Sequence, residues 1–135
     1  MKTTTTELEP IEVLCVTAEG GVAGGRVAFE WLESRLPGMR GRRFYGVMHR
    51  DGTYRACVVR AEGDDPGAMG LETDVLPGGA YARTTIPDWE ERVAEIATTF
   101  DALAAGRSVD PERPSIEFYR SQKELVLFLP VAEED

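Results

Sequence analysis

Two stretches decide the fold: FYGVMHRDGTYRACVVRA at 44–61 and SIEFYRSQKELVLFLPVA at 115–132. Laid side by side at a constant offset of 71 residues they align without a gap, and apolar positions match along most of their length. Each reads as a hairpin. In the first, strands over 43–48 and 54–59 flank Arg50-Asp51-Gly52, and Asp-Gly between apolar runs is a strong turn signal. The second pairs strands over 115–119 and 125–129. Working outward, IEVLCVT at 11–17 is β-branched and apolar, as in a strand buried on both faces. Val27, Trp31, Leu32 and Leu36 then fall at helical spacing over 26–36, with Pro37-Gly38 as the stop. In the second half, strands over 71–76 and 80–85 flank Pro77-Gly78-Gly79. A second helix is expected from Asp88, placed as N-cap with Glu91 three residues on. Trp89, Val93, Ile96, Ala97, Phe100, Leu103 and Ala104 form its apolar stripe, and Gly106 lies past its end.

Strand, helix and hairpin thus occur twice, over 11–61 and 70–132. Neither half is large enough to bury a core alone. The expected architecture is α+β: a duplicated strand–helix–strand–strand module packed about a pseudo-twofold axis, giving one antiparallel sheet with two helices. A cleft between the modules is a natural place for a ligand. The polar, threonine-rich residues 1–9 are expected to be a flexible N-terminus, and 61–69 a polar connection.

The chain has 135 residues, which is a single domain's length (1–135), and 24 Asp+Glu against 15 Lys+Arg give a net charge of −9. Such acidity lacks the electrostatic attraction that dominates nucleic-acid affinity, so direct DNA or RNA binding is not expected. The longest apolar run, 125–132, is interrupted by Pro130 and is far short of the about 20 residues a membrane helix needs. The start lacks the apolar core of a secretory signal, so a cytoplasmic location is expected. Cys15 and Cys57 each sit in an apolar strand and read as buried free thiols. With one histidine, His49, beside a turn and read as solvated, no metal site or cofactor is expected. The glycines at 20, 21, 24 and 25 follow a strand and precede a helix, but no phosphate-loop register fits them. Arg40, Arg42 and Arg43 read as a solvated loop and strand edge, with contact to an anionic partner as the other reading.

Glu117 stands apart, a carboxylate in the middle of the apolar strand SIEFY. Alternation puts Ser115, Glu117 and Tyr119 on one face, and the offset places Phe44, Gly46 and Met48 on the equivalent face of the first module. Glu117 then projects where its counterpart, Gly46, has no side chain. A carboxylate in an apolar cleft is paired, protonated or placed for a cation, and aromatic faces favour a lipophilic one. The other reading has Glu117 pointing to water beside Arg83 or Arg120. Trp31 and Trp89 are packing residues or cleft walls.

The run Arg113-Pro114-Ser115-Ile116-Glu117-Phe118-Tyr119, followed by Leu125-Val126-Leu127-Phe128-Leu129-Pro130-Val131, resembles the ending of GyrI-like small-molecule-binding domains. Phe44-Tyr45-Gly46-Val47, Tyr54-Arg55-Ala56-Cys57-Val58 and Leu76-Pro77-Gly78-Gly79-Ala80-Tyr81-Ala82 match in the same order, so the resemblance spans about 11–132. It implies the duplicated module found above. It also implies a binding role, since such domains serve as effector domains of AraC- and MerR-type regulators, as stand-alone drug-binding proteins and as gyrase inhibitors, and a subset hydrolyse cyclopropane-type genotoxins. Where many members carry an extended segment near the first helix, this chain has the compact turn GGVAGG. In the drug-binding members a cleft glutamate meets cationic aromatic ligands, and Glu117 matches it. The leading expectation is a stand-alone binder of lipophilic, cationic or aromatic small molecules, lined by Glu117, Tyr119, Phe44, Met48, Trp31 and Trp89. The alternatives are a hydrolase using Glu117 and Tyr119 as catalytic groups, and a protein that contacts gyrase or a regulator.

Overall fold

A computed structural model describes residues 1–132; the acidic tail Glu133-Glu134-Asp135, read from the sequence as surface charge, lies outside them. One antiparallel sheet of eight strands runs in the order β1-β6-β8-β7-β3-β4-β2-β5. Its strands are β1 (Thr4–Leu8), β2 (Ile11–Thr17), β3 (Phe44–Met48), β4 (Tyr54–Val59), β5 (Glu72–Leu76), β6 (Gly79–Pro87), β7 (Ser115–Tyr119) and β8 (Glu124–Pro130). Helix α1 (Gly25–Ser34) joins β2 to β3, a single turn α2 (Pro66–Met69) precedes β5, and α3 (Glu95–Ala104) joins β6 to β7. The order reads symmetrically from the centre, where β3 and β7 pair Phe44 with Tyr119, Gly46 with Glu117 and Met48 with Ser115. At the offset of 71 the Gly46–Glu117 pair maps onto itself. The pseudo-twofold axis therefore passes through that pair.

Alternation along the strands divides the apolar residues between two faces. One face carries Leu14, Ala56 and Val58 against Ala28 and Leu32 of α1, and Ala82, Leu125 and Leu127 against Leu103 of α3. The opposite face is a cluster of strand residues alone, including Val13, Tyr45, Val47, Tyr81, Ile116, Val126 and Phe128. Cys15 and Cys57 are direct cross-strand neighbours on that face, both buried and both free thiols. Among the described residues no helix is long and apolar enough to cross a membrane.

Five local expectations are corrected. The N-terminus is no flexible tail: Thr4–Leu8 pairs along β6, and the buried Thr84 hydroxyl donates to the Lys2 carbonyl at 2.8 Å. The face of α1 turned to the sheet carries Gly25, Ala28 and Leu32, whereas Val27 and Trp31 are 69% and 48% exposed. The second helix starts six residues late, with Ala94 rather than Asp88 at its N-cap position. Asp88 takes a left-handed backbone (φ 51°) and caps nothing with its side chain, and Trp89–Glu91 form only a 3-10 turn. Tertiary contacts impose this, because the Asp88 amide and the Trp89 indole donate to the carbonyls of Lys123 and Ser121. Val93 and Ala97 of the expected stripe are consequently exposed. The polar connection contains α2, capped by the Asp65 side chain on the Ala68 amide. Lastly, His49 is half-buried, and its Nε2 is buried without a hydrogen-bond partner.

Candidate functional site

Glu117 lies at the centre of β7, and alternation turns it to the helix-bearing face, where α1 and α3 cover the two halves of the sheet. It is buried, with 9% of its surface exposed. That excludes the reading of a solvated carboxylate beside Arg83 or Arg120, which stand on the opposite face with Phe118 and Phe128. No Lys, Arg or His of the described residues forms an ion pair with it. Its partners are hydroxyls. Tyr54 donates to Glu117 Oε1 at 2.7 Å and Tyr119 donates to the same oxygen at 2.8 Å, the two hydroxyls lying 3.4 Å apart. Oε2 receives no hydrogen bond from the described residues.

The site depends on Gly46. A Cβ there would overlap both the Tyr54 hydroxyl and Glu117 Oε1. The space opposite Glu117 that the sequence left for a ligand is thus filled by the tyrosine hydroxyl of the first module. Sequence reasoning missed Tyr54, and the signal was available: alternation from Tyr54 through Ala56 and Val58 puts it on the Gly46 face, and β4 is the hairpin partner of β3.

Aromatic rings close the site. Phe29 of α1 sits edge-on to Tyr119 with centroids 5.2 Å apart and to Tyr54 at 6.4 Å. Trp89 meets Tyr119 edge-on at 5.1 Å from the α3 side. Phe29, absent from the sequence-based set, is the central cover. Of that set, Glu117, Tyr119 and Trp89 come together directly. Phe44 and Met48 are half-buried beside them on β3, packed with the α1 cluster. Trp31 does not join them; it is exposed on α1 under the Arg35 guanidinium, 4.1 Å from the ring centroid. Glu117 is not among the residues lining either of the two described grooves. They measure about 320 and 540 Å³, and the larger one reaches Tyr119 from the other side of the sheet.

Burial pushes the Glu117 carboxyl above its ordinary value, opposed by the two tyrosine hydrogen bonds that favour the charged form. Tyr54 and Tyr119 are also pushed up, first by their own burial and then by the Glu117 charge. Both phenols therefore remain protonated donors. The arrangement is a single buried acid, held by two fixed hydroxyls through one oxygen and roofed by aromatic rings.

No family model matches the chain, and no curated protein matches it. Solved structures do. The EcmrR C-terminal domain is similar with a TM-score of 0.69 at 10% identity, covering 98% of each chain. SAV2435 bound to tetraphenylphosphonium is similar with a TM-score of 0.61 at 14% identity, covering 98% of this chain and 94% of that one. A hydrolase from Listeria innocua reaches 0.58 at 13% identity, covering 97% and 92%. The chain has the α+β, GyrI-like fold of these proteins.

Proposed function

We propose that this chain binds lipophilic, cationic aromatic small molecules between its two modules, with Glu117 as the counter-charge. The observation that carries the reading is a buried carboxyl with no cationic partner among the described residues, bonded only to two tyrosine hydroxyls that the Phe29 and Trp89 rings cover. A delocalised cation satisfies such a group without the hydration an ammonium needs, and aromatic faces add cation–π attraction. The tetraphenylphosphonium carried by SAV2435, whose fold this chain shares, is a ligand of that class. Entry requires the Phe29 and Trp89 rings to turn aside, exposing Tyr119, Glu117 and the half-buried Phe44 and Met48 as lining. Because the carboxyl is pushed up, binding a cation drives off its proton, so affinity rises with pH.

The test is a thermal shift and calorimetric titration with tetraphenylphosphonium, using Glu117→Gln as control. At a concentration 100-fold above Kd, ligand stabilises a fold by about 2.7 kcal/mol. The wild type should be stabilised, more strongly at pH 8 than at pH 5, and the variant should bind at least about tenfold more weakly. Equal stabilisation of both proteins would sink the reading.

A second reading, hydrolysis of a strained electrophile such as a cyclopropane, is favoured by the unbonded Oε2 beside two fixed donors. Glu117 would take a proton from water as the water oxygen bonds to a ring carbon, then return it to the carbon released by ring opening. Ring-opened product formed by the wild type and absent with Glu117→Gln selects this reading over binding alone.

A further inference from the structure

The sheet face turned away from the helices carries a groove of about 540 Å³ whose chemistry is the reverse of the Glu117 site. Arg43 at the start of β3, Arg120 at the end of β7 and Arg83 on β6 line it, and none of its lining residues is an Asp or Glu. Among the described residues these three guanidiniums form no ion pair and no side-chain hydrogen bond. Arg42, which also lines the groove, is different, for it is held bidentately by Asp64 at 2.7 and 2.8 Å. Three arginines with no acidic partner among the described residues thus line one groove of a chain whose net charge is −9. Between them the groove is floored by aromatic side chains, Phe118 half-buried and Tyr45 and Phe128 buried. Tyr45 and Phe118 stack across β3 and β7 with centroids 4.9 Å apart and planes 20° apart. Phe128 lies under the Arg83 guanidinium, 5.7 Å from the ring centroid.

We propose that this groove is a second ligand site, for a planar aromatic molecule bearing carboxylate, sulfonate or phosphate groups. The ring of such a ligand packs on the half-buried Phe118, beside the rims of Tyr45 and Phe128. Its acidic groups meet the guanidinium forks, whose geometry suits two-pronged contact with an oxyanion. The site does not include Glu117, lies mainly on the opposite face of the same two central strands with Tyr119 as the one residue common to both, and stands whether or not the cation reading does.

Titration of the full chain with naphthalene-2,6-dicarboxylate, followed by calorimetry and aromatic NMR shifts, tests it. Expected are saturable one-to-one binding and shifts at Tyr45, Phe118 and Phe128. Affinity should fall at least about tenfold in Arg83→Gln and in the Arg43→Gln/Arg120→Gln pair, and stay unchanged in Glu117→Gln. The neutral dimethyl ester and the non-aromatic dianion adipate should each bind at least about tenfold more weakly to the wild type, a comparison that needs no variant to fold. Absence of saturable binding, equal binding of the ester, or loss of binding in Glu117→Gln overturns the proposal. So does self-association that the arginine substitutions abolish while the dicarboxylate fails to bind, which would mark the groove as a contact between copies of the chain.

Discussion

Glu117 and Gly46 face each other across β7 and β3, and each is legible only through the other. The raised carboxyl makes Glu117 a destabilising choice at neutral pH. A group whose folded value lies above its unfolded value binds its proton more tightly when folded, so its stabilising contribution is full below the unfolded value, about pH 4, and is lost as pH rises through the folded one. Glu117→Gln removes the titration, keeps an oxygen for the two hydroxyls, and should raise Tm at pH 7 while flattening the loss of stability above pH 4. A Tm at pH 7 no higher than that of the wild type would contradict the burial argument. Gly46→Ala should do the opposite, costing about 1–3 kcal/mol in denaturant unfolding, because its methyl competes with Tyr54 and Glu117 for the same space. Gly46 was readable as a missing side chain, but not what filled the gap, since that needed the register of a third strand.

Among the elements, both hairpins and the duplication were plain in the sequence, because alternation and an Asp-Gly turn are local signals. The helix faces were not. Val27 and Trp31 share apolar character with Leu32, and only packing decides which stripe the sheet takes; here the small Gly25 and Ala28 let α1 lie close to β2 and β4. Leu32→Ala should cost about 2–5 kcal/mol of unfolding free energy and Val27→Ala less than about 0.5. Strand β1 was illegible because Thr4 to Glu7 are polar, and its pairing depends on an edge left open by β6. The loop elements are tied by Arg42 and Asp64, side chains 10% and 6% exposed, which hold the Asp64 carboxyl down at about 2. Here the folded value lies below the ordinary 3.8, so the stabilisation is present above about pH 4 and is lost as pH falls toward 2. Acid unfolding of Arg42→Ala, whose Asp64 lacks this depression, should show a shallower loss of stability over that window.

Across the whole molecule, the halves defined by sequence are not the halves defined by pairing. β1 precedes the first module yet completes the edge of the second, while β5 opens the second module in sequence and closes the first. Chain cut between 61 and 65 should therefore yield two fragments, neither with a cooperative melt, that regain the native circular dichroism when mixed. A cooperative transition in either fragment alone would count against one shared core. The axis through Gly46 and Glu117 carries a consequence for stoichiometry and descent. In a homodimer of one such module, the axial position would hold two copies of the same side chain: two glutamates would collide and repel, and two glycines would leave no acid. Joining both modules in a single chain lets the two positions mutate independently. One acid then occupies a place that perfect symmetry forbids, so the proposed site offers one counter-charge per chain, and the expected stoichiometry is one cation rather than two.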